Sequence, residues 1–307
     1  MLSPKTSLPS RFRQTRVLIV GCGDVGLRAA ALLAPRLRVI ALTSSPQRAP
    51  ALRAAGIQPL LGNLDDPRTL GRLAGLGQRV LHLAPPPGQG AADPRTAHLL
   101  AALSRRGRPH TLVYGSTTGV YGDAQGAWFD ETRAVAPATD RGRRRVDAEQ
   151  RVRRWGQGGG ALTHATILRI PGIYAMDREG GDPRDRVRRG SPLLQPSDDV
   201  YTNHIHADDL ARACMLALWR ARPGRVLHVS DDTTLKMGDY FDRVADHFGL
   251  PRAPRVSRAE AQARLSPMQL SFMSESRRLS NARMKAELGL VLRYPTVDTA
   301  WGEPAQP

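Results

Sequence analysis

The sequence predicts an α/β protein with a doubly wound parallel sheet and a smaller C-terminal lobe. Three observations point there. Short β-branched apolar runs alternate with helical stretches from Arg16 to Ile170. The first run passes at once into a glycine-spaced turn that opens a helix. The texture then changes after Pro171, where Gly, Pro, Arg and Asp crowd the chain.

Taken in order, Arg16-Val17-Leu18-Ile19-Val20 reads as a buried parallel strand, because a strand covered on both faces shows no polar alternation. Gly21-Cys22-Gly23-Asp24-Val25-Gly26 follows, then an Ala/Leu-rich helix to about Leu33, stopped by Pro35. Strands are expected at 38–42, 57–61, 79–83, 111–114 and 163–170. Helical stretches are expected at 50–55, 67–74, 96–106 and 141–155. Residues 178–197 read as a loop. Beyond them come a helix at 207–219, a strand at 225–229 and helices at 236–248, 257–264 and 281–288, read together as a lobe over the sheet's carboxyl edge. The division is a 1–15 leader, a sheet domain over 16–175, and a lobe over 176–307 partly interleaved with it.

The chain has 307 residues and is 41% hydrophobic, enough for a sizeable core. No apolar run nears the roughly 18 residues that span a bilayer. The polar start, with Pro4 and Pro9, lacks a secretory signal's apolar stretch. The two cysteines, Cys22 and Cys214, fit neither a disulfide framework nor a metal spacing. A cytoplasmic protein without a metal or a membrane span is the expectation. The net charge is +17, but only three of the 45 basic residues are lysines, and the arginines are scattered. That pattern reads as compositional bias rather than a nucleic-acid surface, and aromatics at 5% are too sparse for base stacking.

The glycine turn sits in the strand–turn–helix context of a dinucleotide-binding, Rossmann-type loop. Gly21 permits the turn, Gly23 lets backbone approach a pyrophosphate, and Gly26 lets helix pack on strand. Asp24 and Val25 lie between them, where free amides and the helix dipole favour an anion. At the end of the second strand an NAD-binding chain usually has Asp or Glu. Here it has Leu42-Thr43-Ser44-Ser45, with Arg48 beyond. No carboxylate repels a 2′-phosphate, and Thr43, Ser44 and Arg48 can hold one, so NADP(H) is expected in preference to NAD(H).

Further short motifs follow: Gly62-Asn63-Leu64-Asp65, His82-Leu83-Ala84, Ser116-Thr117-Thr118-Gly119-Val120-Tyr121-Gly122, Arg169-Ile170-Pro171-Gly172-Ile173-Tyr174, Asn203 through Leu210, then Leu288-Gly289 and Tyr294-Pro295. In order and spacing the chain resembles the extended short-chain dehydrogenase/reductase family, of the nucleotide-sugar epimerase and dehydratase type, over 16 to about 301. The resemblance implies an adenine site at Asn63 and Leu64 (the family usually has Asp at 63), and cofactor packing at Leu83 and Ala84. It also implies a small-molecule substrate. The family's chemistry uses a Ser or Thr, a Tyr as acid/base, and a Lys four residues later. Thr117 takes the first position, or merely caps the strand end. Counting back from Ala148-Glu149-Gln150 puts Arg141 at the tyrosine position and Arg145 at the lysine position.

No tyrosine occurs between Tyr121 and Tyr174, and no lysine between Lys5 and Lys236. Arginine holds its proton to a pKa above about 12, so Arg141 cannot act as a general acid or base near neutrality. Arg145 can still donate to a nicotinamide ribose. A proton from Tyr121, Tyr174, His204 or His206 is the alternative, set against packing roles for each. The arginine-rich face of 141–154 reads either as a wall for an anionic substrate or as a solvated or homodimer face. Two functions stay open: an NAD(P)(H)-dependent oxidoreductase or epimerase-like enzyme with a non-standard acid/base, or a catalytically inactive dinucleotide-binding sensor or partner-binding module.

Overall fold

The computed structural model describes residues 15–160 and 163–302. The expected leader therefore lies outside the described residues, except for Thr15. Seven strands form the central sheet: β1 (Arg16–Val20), β2 (Arg38–Thr43), β3 (Gln58–Leu61), β4 (Arg79–His82), β5 (Thr111–Thr117), β6 (His164–Ile170) and β7 (Val226–His228). Their order across the sheet is β3-β2-β1-β4-β5-β6-β7, and every pairing is parallel. From β1 the chain winds one way to β2 and β3, then returns to β4 on the other side. That reversal opens a crevice at the carboxyl ends of β1 and β4, where such sheets bind ligands.

The apolar runs are continuous because both faces of each strand are buried. Val17 and Ile19 enter one core with Ala29, Ala30 and Leu33 of α1 (Asp24–Leu33) and with Cys214 and Leu218 of the helix Ala207–Arg220. Leu18 and Val20 face the other way. They join Leu99 and Leu103 of α3 (Pro94–Ser104) and Val152 and Trp155 of α4 (Asp140–Gln157). Alternate residues thus feed two cores. The side chains of Asp93 and Thr139 cap α3 and α4 by accepting the amides of Thr96 and Gly142. Between β2 and β3, α2 spans Ala49–Ala54.

The structure departs from the sequence reading in several places. The expected helix at 67–74 is a 3₁₀ segment, Pro67–Leu73, with proline at its start and Gly71 within it. The expected loop at 178–197 holds a short helix, Pro183–Arg188, and a strand, Leu193–Leu194, which pairs with Arg255–Val256. The strand expected at 225–229 within the lobe is instead β7, parallel to β6, and its Val226 and Leu227 are buried in the two cores. The lobe keeps its own core, in which Tyr240 and Val244 of the helix Met237–His247 pack with Tyr174 and Trp301.

Candidate active site

The glycine loop shows a different reason for each glycine. Gly21 has φ +87°, and a Cβ there would stand 2.3 Å from the Ala84 nitrogen. The loop is thus pressed onto the end of β4 so closely that only glycine fits. A Cβ on Gly26 would meet the Gly21 oxygen at 3.1 Å and Ile19 Cγ2 at 3.4 Å, which is the close contact of helix on strand. At Gly23, by contrast, a Cβ would meet nothing within 4 Å. Its backbone is extended (φ −82°) and no side chain caps α1. Packing alone does not call for glycine here. Open space before uncapped helix amides fits a diphosphate drawn against backbone.

The residues expected around an adenine ribose differ in availability. Thr43 is buried, and its hydroxyl is used in a turn with the amide and carbonyl of Ser45. Ser44 and Arg48 are exposed. Arg48 folds back so that Nη2 donates to the Cys22 carbonyl at 2.6 Å, which lays its cation across the glycine loop. Burial, only partly opposed by Arg48, pushes the Cys22 thiol up to about 11, so it stays protonated. Asn63 Oδ1 accepts the Asp65 amide, Leu64 is buried, and Asp65 forms a two-point ion pair with Arg95 of α3. Leu83 is half-buried beside the buried Ala84.

Asp24 is tied into an ion network across the loop. Arg28 reaches Asp24 at 3.1 Å, Asp208 at 2.6 Å and Asp177 at 2.7 Å. Arg178, from the segment first read as a loop, reaches Asp24 at 3.1 Å. Sequence reasoning missed Arg178, because nothing local to residue 178 signals a partner at residue 24.

Thr117 ends β5, and its hydroxyl accepts the Gly119 amide at 3.2 Å, opening the 3₁₀ turn Thr118–Tyr121. The capping role is therefore realised, and its O–H proton remains free for another acceptor. The start of α4 lies against that turn: a Cβ on Gly142 would meet the Gly119 oxygen at 3.0 Å. Arg145 Nη1 donates to the Tyr114 hydroxyl at 3.0 Å and the Gly115 carbonyl at 2.8 Å. Burial pushes the Tyr114 phenol up to about 12. Arg144, itself buried, donates to the Gly90 carbonyl at 2.6 Å and so fastens the loop between β4 and α3. The Arg141 guanidinium lies 5.7 Å from the ring centre of Phe272, on the lobe helix Pro267–Met273.

A model of the family described as "NAD dependent epimerase/dehydratase family" matches residues 17–230. The chain belongs to that family. A functionally unknown conserved protein from Silicibacter pomeroyi DSS is 31% identical, with TM-score 0.77, over 94% of this chain and 96% of that one. A UDP-glucose 4-epimerase from Thermotoga maritima, solved with UDP-glucose, has TM-score 0.76 at 18% identity over 94% and 96% of the two chains. MoeE5, solved with UDP-glucose and NAD, has TM-score 0.74 at 20% identity over 94% and 97%. These last two show the shared fold. Comparison with curated proteins returns no match.

Within this epimerase/dehydratase fold, the remaining proton-bearing candidates are buried. The Tyr121 hydroxyl accepts from Arg169 at 2.5 Å and lies 2.6 Å from His228 Nε2. His228 Nδ1 faces the Ser280 carbonyl at 3.0 Å, so Nδ1 carries the hydrogen and Tyr121 donates to Nε2. Burial lowers His228 to about 4, which keeps it neutral. Arg169 forms a two-point pair with Glu149, which also accepts from Ser116 at 2.6 Å. Tyr174, His204 and His206 are buried. Burial lowers His204 to about 4 and raises Asp231 to about 8, while the Tyr174 phenol is raised first by burial and then by the charge of Asp231. Among the described residues no cluster of His, Cys, Asp and Glu could hold a metal, and no helix is long and apolar enough to cross a membrane.

Proposed function

We propose that the chain binds NAD(P)(H) over the carboxyl ends of β1, β2 and β4 and works as an oxidoreductase or epimerase-like enzyme with a non-standard acid/base. The observation that carries this reading is the open space before Gly23, framed by a loop so tight that Gly21 tolerates no side chain and Gly26 packs closely on the Gly21 oxygen. In this reading the amides of residues 23–26 hold the diphosphate. Ser44 and Arg48 take the ribose end, Asn63 and Leu64 border the adenine, and Leu83, Ala84 and Thr117 border the nicotinamide. The bound dinucleotide supplies hydride chemistry. This chain's residues orient it and exclude water. Arg48, lying across the loop with no carboxylate beside it at the end of β2, supports a preference for NADP(H).

The test is calorimetric titration with NADPH and NADH, followed by Arg48→Ala. The reading expects NADPH to bind more tightly and Arg48→Ala to remove most of that advantage without weakening NADH. No affinity for any nicotinamide nucleotide would overturn it. A second reading, a dinucleotide-binding sensor without turnover, draws on the saturated hydroxyl of Tyr121 and the burial of Tyr174, His204 and His206. Turnover of a carbonyl or nucleotide-sugar substrate that Thr117→Ala abolishes would exclude the sensor.

A further inference from the structure

Three guanidinium groups on the first turns of α4 form no ion pair with a carboxylate among the described residues. Among the described residues, the ion pairs made by arginines of this helix are Arg143–Asp140 and Arg151–Asp147. Arg144 and Arg145 bond only to uncharged oxygens, and the exposed Arg141 guanidinium lies over the Phe272 ring, with Glu275 acting on it through space but forming no ion pair. Arg169 and Arg277, by contrast, are matched with acids, Arg169 with Glu149 at 2.7 Å and Arg277 with Glu275 at 2.5 Å. Residues 141, 144 and 145 are also neighbours on a helix surface, at spacings where like charges repel. A buried or crowded cation without a counter-ion destabilises a protein. The buried Arg144 and half-buried Arg145, crowded by the exposed Arg141 at the start of a helix where the dipole already disfavours positive charge, are retained against that cost.

Their position indicates what would offset it. The start of α4 lies flush on the turn after Thr117, and Arg145 touches the strand two residues before Thr117. Arg144 holds the loop between β4 and α3, and Arg141 reaches towards the lobe. The exposed Arg141 thus lies between the turn after Thr117 and the lobe, with Arg144 and Arg145 behind it. From this we infer that Arg141, backed by Arg144 and Arg145, binds an anionic group of the substrate. The substrate is then an alcohol or carbonyl compound carrying a carboxylate or phosphate near its reacting carbon. The inference rests on the reading that this cleft takes the substrate over a bound dinucleotide.

The experiment uses the full chain loaded with NADPH and two matched probe pairs: UDP-glucuronic acid against UDP-glucose, and glucose 6-phosphate against glucose. In at least one pair the member with the added carboxylate or phosphate should bind tenfold or more tightly than the partner without it. Which pair responds tells carboxylate from phosphate. Arg141→Gln should erase that preference by weakening the more charged member to its partner's Kd, while Arg141→Lys keeps part of it. A ligand-free readout accompanies this. Arg141→Gln should raise the Tm, because it relieves the repulsion, whereas loss of a merely structural residue would lower it. No preference in either pair, or a preference that Arg141→Gln leaves intact, overturns the inference. Failure to take up any dinucleotide overturns the underlying reading and this inference with it. Uptake of NADPH without anion preference overturns the inference alone.

Discussion

Replacing Gly23 and Gly21 by alanine, one at a time, should separate binding from folding within one turn of chain. At Gly23 the backbone is ordinary extended (φ −82°) and a Cβ meets nothing within 4 Å. Alanine stiffens the unfolded chain, which stabilises the fold by about 0.4–1 kcal/mol. It is also a poorer N-cap than glycine, which costs about the same. The net change in stability should lie within about 0.5 kcal/mol of zero. The new methyl, however, occupies the space where a diphosphate meets the amides. Loss of one charge-assisted contact costs about 1.5–3 kcal/mol, so dinucleotide binding should weaken about ten- to hundredfold. At Gly21 the sign pattern reverses. The left-handed backbone costs alanine about 1–2 kcal/mol, and a Cβ 2.3 Å from Ala84 N forces β4 to move, adding about 1–3 kcal/mol. Urea unfolding followed by circular dichroism gives the stabilities, and calorimetry with NADPH and NADH gives the affinities. A Gly23→Ala protein that is as stable as the parent and binds dinucleotide equally well would refute the reasoning, since the open space would then belong to no ligand.

Three further outcomes follow from the same structure. Glu149→Gln strands the buried Arg169 cation and should cost about 3–5 kcal/mol in urea unfolding; a loss under about 1 kcal/mol would show that Tyr121 alone suffices to hold Arg169. Asp231 is raised to about 8 by burial, so the folded chain keeps its proton while the unfolded chain, near 3.9, ionises. Its stabilising contribution is therefore full below about pH 4 and is lost as pH rises through about 8. Asp231→Asn should accordingly raise the Tm more at pH 8 than at pH 5, and equal shifts at the two pH values would contradict the assignment. Asp24→Asn removes a carboxylate from the first turn of α1. It should cost about 0.3–1 kcal/mol of stability yet tighten NADPH binding severalfold, and weaker binding would mean that Asp24 serves the cofactor through Arg28 and Arg178.

How far the molecule could be read in its sequence follows from the range of each interaction. The bounds of β1 and the glycine turn were legible because strand burial and backbone freedom are written in adjacent residues. So was the loss of a tyrosine–lysine pair on α4, which needs only counting. The fate of individual side chains was not. Thr43 offers a hydroxyl in the sequence, but its own strand end uses it for a turn with Ser45. Arg145 stands where a ribose donor was expected, and its Nη1 is drawn to Tyr114 and Gly115, about thirty residues back in the chain. The meeting of Asp24 with Arg178 spans 154 positions and depends on the fold being complete. The place of Val226–His228 was hidden for a related reason: a three-residue strand with two apolar side chains fits a lobe and a sheet equally well, and only the unfilled edge of β6 decides between them.

That edge bears on how the chain can be made. When the ribosome has delivered the first 175 residues, six strands exist, but β6 still shows a row of unpaired amides and carbonyls. The helix that roofs Ala29, Ala30 and Leu33 has not yet been synthesised. Maturation of the cofactor half must wait for residues 207–228, so the nascent chain passes through an interval of sticky, half-covered sheet. Separating the halves at residue 175, by genetic splitting or by a protease, would leave two fragments that each lack a surface the other was shaped to cover.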